Sequence, residues 1–117
     1  MVVVTINYRL GLLGWAENSG AWGRSDVTGN QAFRDQILAL QWVKKNIASF
    51  GGDPNKVTVF GESAGATSIR ALLSAPSAWG LYKGVIGQSD PINIGKWSQS
   101  VTIPKLFSIH SNQLTFC

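Results

Sequence analysis

The chain opens on Val2-Val3-Val4-Thr5-Ile6, a β-branched run with apolar side chains on successive positions, which predicts a strand buried on both faces of a parallel sheet. From Gly11 to Gly29 that pattern dissolves. Glycine recurs, Trp15 and Trp22 intervene, and neither a strand nor a helix period holds, so a long loop is expected there. Periodicity returns at Gln31: Phe33, Ile37, Leu40, Val43, Ile47 and Phe50 follow at spacings of 4, 3, 3, 4 and 3, one apolar stripe along about five helical turns. Asn30 is placed to cap the start, Lys44 and Lys45 lie toward the negative end of the helix dipole, and Gly51-Gly52 offers a left-handed stop.

Asp53-Pro54-Asn55 then reads as a turn, Val57-Thr58-Val59-Phe60 as a second strand, Ala64 to about Ser74 as a helix ended by Pro76, and Gly84-Val85-Ile86-Gly87-Gln88 as a third strand. The order β-α-β-α-β predicts an α/β unit, a three-stranded parallel sheet core with two right-handed crossover helices covering it. After Pro91 the residues turn to Ser, Thr, Asn and Gln with isolated apolar positions. The expected organisation is one segment over residues 1–92 and an irregular C-terminal tail over 93–117.

Composition narrows the function classes. With 44% hydrophobic and 14% charged residues in 117, the chain has the make-up of one globular unit. No apolar run approaches the length of a membrane span, and Met1 is not followed by a charged-then-apolar leader. The net charge of +4 comes from ten scattered basic residues, of which only Lys44 and Lys45 are adjacent; a nucleic-acid surface needs them clustered on one face, so none is expected. Cys117, the sole cysteine, cannot close an internal disulfide or build a zinc site. With no phosphate-binding glycine loop and no His-Glu zinc pattern, no cofactor or metal is expected.

One stretch carries chemistry. Gly61-Glu62-Ser63-Ala64-Gly65 is a G-x-S-x-G between a predicted strand and a predicted helix, the setting in which this motif holds a nucleophile. The turn is sharp enough to force the serine into an unfavourable backbone conformation, and Gly61 and Gly65 remove the side chains that would collide. The Ser63 hydroxyl is thereby thrust out at the carboxyl edge of the sheet. The Ala64 N–H then faces the place where the oxyanion of an acyl-transfer intermediate forms, at the positive end of the following helix.

Asn7-Tyr8-Arg9-Leu10-Gly11, Gly29-Asn30, Asp35-Gln36, Ala39-Leu40-Gln41-Trp42-Val43, Asn46-Ile47, Phe50-Gly51-Gly52-Asp53-Pro54 and Phe60-Gly61-Glu62-Ser63-Ala64-Gly65 together resemble the type-B carboxylesterase family, which includes the cholinesterases, within the α/β-hydrolase fold. The stretch from Gly29 to Asp35, with Gln88-Ser89-Asp90-Pro91, is similar to fungal members. The resemblance implies hydrolysis of small-molecule carboxylic esters through an acyl-enzyme, with Ser63 as nucleophile and Ala64 as one oxyanion donor. It further implies that Glu62 is a buried structural carboxylate rather than the triad acid, and that Arg9 and Asp35 form a buried ion pair. It suggests secretion of the complete enzyme.

Serine acylation also needs a base, normally a histidine oriented by a carboxylate. The order Ser63, Asp90, His110 agrees with this fold, but His110 falls in the aperiodic tail with no predicted strand to position it. The family brings acid and histidine from segments beyond this stretch, and its other oxyanion donors from a glycine loop ahead of the first strand. The expectation is therefore a fragment of a serine carboxylic-ester hydrolase, weakly active or inactive as it stands. The alternative is a catalytically dead, cholinesterase-like interaction or adhesion module. Two open sheet edges and unpartnered helix faces predict a marginally stable or aggregation-prone chain.

Overall fold

A computed structural model of the chain describes residues 1–15, 29–91 and 115–116. The three expected strands form as β1 (Val4–Thr5), β2 (Thr58–Glu62) and β3 (Gly84–Gln88). β2 and β3 pair in parallel from Thr58 opposite Gly84 to Glu62 opposite Gln88. A fourth strand, β4 (Thr115–Phe116), lies between β1 and β2 and is antiparallel to both, giving the order β1-β4-β2-β3. Since β1 and β2 each oppose β4, the three expected strands share one direction. The fourth strand revises the expected count and comes from the tail read as irregular. Two residues are too few to show a period, so only their pairing partners define them.

The two crossover helices, α2 (Gln31–Asn46) and α3 (Ala64–Leu73), pack on the same face of the sheet. Leu40 of α2 and Ile69 and Leu72 of α3 meet Val59 of β2 in one cluster, against which Val4, Ile6 and Tyr8 pack. Val43, Ile47 and Val57 continue the core toward Val2. One-sided packing corrects the expectation that residues 2–6 are buried twice over. Burial alternates along them, with Val2, Val4 and Ile6 turned to the helices and Val3 51% exposed. An apolar run shows that a strand can be covered on both faces, but the layer that covers it must come from elsewhere. Ile86, in register with Phe60 on the uncovered face, is exposed for the same reason, whereas Val85, in register with Val59 on the helix face, is exposed on the edge strand of the sheet.

Local chemistry explains the boundaries. Asn30 is the N-cap of α2, as expected, but it sits in the left-handed conformation (φ 59°) without a side-chain capping bond: asparagine tolerates this backbone, and its carbonyl accepts the Arg34 N–H at 3.1 Å. After Asn46 the helix tightens into a 3₁₀ turn, Ile47–Phe50, and stops at Gly51 with φ 80°. Tightening alters the phase of the apolar stripe. Leu40, Val43 and Ile47 stay buried while Phe50 swings outward, tilted against Trp42 at a ring separation of 5.8 Å. The start of the predicted long loop is also revised. Gly11–Trp15 form a short helix, α1, whose Trp15 meets Phe33 edge-on at 4.8 Å; residues 16–28 lie outside the described residues.

No helix among the described residues is long and apolar enough to cross a membrane. A cavity of about 190 Å³ lined by Val2, Val4, Val43, Ile47, Asp53, Lys56 and Val57 sits at the amino-terminal end of β2, away from Ser63. The one-sided core makes a direct prediction. Leu40→Ala, at a site with 0% exposure, should cost roughly 3 kcal/mol of unfolding free energy in urea titrations. Leu38→Ala on the outer face of the same helix, 63% exposed, should change it by less than about 0.5 kcal/mol.

Candidate active site

β2 ends at Glu62 and α3 begins at Ala64, so Ser63 alone makes the turn. Its backbone sits at φ 52°, ψ −115°, a conformation that non-glycine residues avoid and that marks stored strain. Two hydrogen bonds hold it there. The Ser63 N–H donates to the Gln88 carbonyl at 2.9 Å, extending the β2–β3 ladder by one step, and the Ser63 carbonyl accepts the Thr67 N–H at 3.0 Å as the first bond of α3. A Cβ on Gly61 would lie 2.7 Å from the Gly65 carbonyl carbon, so glycine is required where strand and helix pass this closely.

Ser63 is partly exposed at the carboxyl edge of the sheet. Because the first helical hydrogen bond is donated by Thr67, the N–H groups of Ala64, Gly65 and Ala66 have no partner within α3. They and the helix dipole gather positive potential beside the Ser63 hydroxyl, which suits an incoming negative charge. The strained turn and the close approach of Gly61 to Gly65 are the local geometry that the motif implies, and Ala64 is the first residue of α3.

Other expected site residues behave differently. Glu62 is exposed, which corrects its expected burial; β2 ends there and no described element covers the position. Arg9 and Asp35 do pair: Arg9 Nε donates to Asp35 Oδ2 at 2.8 Å, Arg9 Nη2 to Oδ1 at 2.7 Å, and the Arg9 N–H to Oδ2 at 3.1 Å. The pair ties the end of the first strand segment to α2, but its side chains are 52% and 23% exposed, so its expected burial is corrected too. It sits at a rim where α2 shields only the carboxylate side. The Arg9 guanidinium, above all through its hydrogen bonds, holds the Asp35 carboxyl below the usual range.

His110 lies outside the described residues. Asp90 faces α3, where its Oδ1 accepts from Thr67 Oγ1 at 3.1 Å and its Oδ2 meets Arg70 Nε at 3.4 Å. Beneath the turn runs a buried polar layer. Gln36 Nε2 donates to Ser68 Oγ at 3.3 Å, Ser68 also hydrogen-bonds the Tyr8 hydroxyl, and burial pushes the Tyr8 hydroxyl above its ordinary range against that bond. Sequence pattern does not reveal Thr67, Ser68 or Gln36 as partners. The usable signals are Thr67 one helical turn after Ser63 and Gln36 as a polar residue inside an apolar stripe.

The model of the carboxylesterase family matches residues 1–107. The chain is 51% identical over 89 residues to a cocaine esterase of Oryctolagus cuniculus, covering 76% of this chain and 16% of that protein. It is 45% identical over 112 residues to an acylcarnitine hydrolase of Mus musculus, covering 91% and 19%. The solved carboxylesterase of Geobacillus stearothermophilus matches with a TM-score of 0.65 and 46% identity, over 69% of this chain and 18% of that one. The chain therefore spans less than a fifth of the length of each of these relatives.

The Arg9–Asp35 geometry fixes a pH dependence. A carboxyl whose folded pKa is depressed stabilises the fold above its unfolded pKa, about 3.9, and loses that contribution as pH falls through the folded value. In thermal melts, the wild-type advantage over Asp35→Asn should be constant at and above about pH 5 and shrink progressively in more acid solution. An advantage independent of pH would show that the pair contributes nothing through charge.

Proposed function

This chain belongs to the carboxylesterase family, and we propose that it is the nucleophile-bearing part of a serine carboxylic-ester hydrolase, with Ser63 as the residue acylated. Its fold is a partial α/β-hydrolase fold, similar to that of solved carboxylesterases. The observation that supports the reading most is the Ser63 turn itself, at φ 52° and ψ −115°, with the first α3 amides, which have no partner within the helix, beside it.

In this reading Ser63 Oγ attacks the ester carbonyl carbon. The new Oγ–C bond forms as the carbonyl electron pair moves onto oxygen, and the Ala64 N–H steadies the resulting oxyanion. Collapse of the intermediate breaks the bond to the alcohol oxygen, which leaves with a proton, and water then releases the acid from the acyl-serine. The base that relays these protons and the carboxylate that orients it are supplied from outside residues 1–92. In this structure Asp90 is engaged on α3 by Thr67 and Arg70. Substrates are small carboxylic esters, the class on which serine acyl transfer of this kind acts.

A fluorophosphonate probe tests this, because it requires only an exposed, activated serine. Labelling should fall on Ser63, vanish in Ser63→Ala, and run roughly 10⁴-fold or more slower than at a serine with a complete triad. A chain that is folded by circular dichroism yet takes up no label at Ser63 over days would favour the binding-module reading.

A further inference from the structure

Resting on the reading of Ser63 as the nucleophile, we propose that Asp90 is a positioning residue that locks the strained Ser63 turn through Thr67. Four links close a ring around the turn. The Ser63 N–H donates to the Gln88 carbonyl at 2.9 Å; the backbone runs on from Gln88 through Ser89 to Asp90; Asp90 Oδ1 takes the Thr67 hydroxyl at 3.1 Å; and the Thr67 N–H returns to the Ser63 carbonyl at 3.0 Å. Arg70 Nε, at 3.4 Å from Asp90 Oδ2, fixes the second carboxylate oxygen.

Two features show that the ring is built rather than incidental. Ser89 has a φ of 52°, the same φ as Ser63, and this second positive-φ non-glycine residue within the ring lies between Gln88 and Asp90, where the chain turns toward α3. Such conformations cost free energy and persist only where surrounding contacts over-determine them. The Thr67 hydroxyl also has a choice of acceptors, lying 3.4 Å from the Ser63 carbonyl and 3.1 Å from Asp90. It has one proton, and the nearer, charged oxygen takes it. This leaves the Ser63 carbonyl to the Thr67 N–H and makes the carboxylate the anchor of the first helical turn.

Amide hydrogen exchange on the 117-residue chain reads the lock without requiring catalysis. In Asp90→Ala and Thr67→Val the Ser63 N–H should exchange roughly tenfold faster relative to the Leu40 and Val59 amides, the scale expected for losing one charge-assisted hydrogen bond. The double variant should be no worse than the more affected single one, since both cut the same ring. Thr67→Ser, which keeps the hydroxyl, should restore protection, and Asp90→Asn should fall between wild type and Asp90→Ala. Unchanged Ser63 exchange in Asp90→Ala, a parallel rise at Leu40 and Val59, or a Thr67→Ser variant as impaired as Thr67→Val would each overturn the proposal. Phosphonate labelling is scored separately. Failure of the wild-type chain to label counts against Ser63 chemistry, while the exchange pattern alone decides the role of Asp90.

Discussion

A strand must become a helix within one residue, and the arrangement of this chain follows from how that is made possible. Ser63 can occupy φ 52°, ψ −115° only because the sheet holds its N–H, the helix holds its carbonyl, and Gly61 clears Gly65. Strain of this kind costs on the order of 1–3 kcal/mol and must be outweighed by contacts made elsewhere. In return Ser63 stands partly exposed at the edge of the sheet, next to the first amides of α3, which have no partner within the helix. The strained link and the chemical potential of the site have the same origin.

Those outweighing contacts come from one side. Leu40, Val59, Ile69 and Leu72 fill the space between the helices and β2, and two adjacent residues of α3 fasten its first turns in different directions. Ser68 points into the buried layer with Gln36 and Tyr8, and Thr67 reaches Asp90 past the end of β3. The turn is gripped from beneath and from the flank. Val3 and Ile86 on the other sheet face, Val85 on the edge strand, Trp42 on the outside of α2 and Phe50 in the turn that follows it remain exposed apolar surface, the feature that makes a chain prone to associate.

What the sequence makes legible is whatever depends on local period or local stereochemistry. The helix stripe through Leu40 and Val43, the stop at Gly51 and the motif around Ser63 are of that kind, and each is found where its residues imply. What it hides depends on partners distant in the chain. Residues 2–6 read as doubly buried because an apolar run cannot say how many layers will cover it. Glu62 and the Arg9–Asp35 pair are exposed for the same reason. β4 has two residues and no pattern, and Phe50 leaves the apolar face because a 3₁₀ turn shifts the phase of the stripe. The ring through Gln88, Asp90 and Thr67 needs the parallel register before it can be seen.

The central claim is that position 63 is held in a backbone conformation that favours glycine, and equilibrium unfolding of two variants tests it most directly. If the strain is present, Ser63→Gly should be more stable than Ser63→Ala by about 1–2 kcal/mol, because only glycine relaxes at this φ without moving its neighbours. An alanine variant as stable as the glycine one, or more so, would mean that the turn is relaxed in solution, and the basis for an activated Ser63 would be gone.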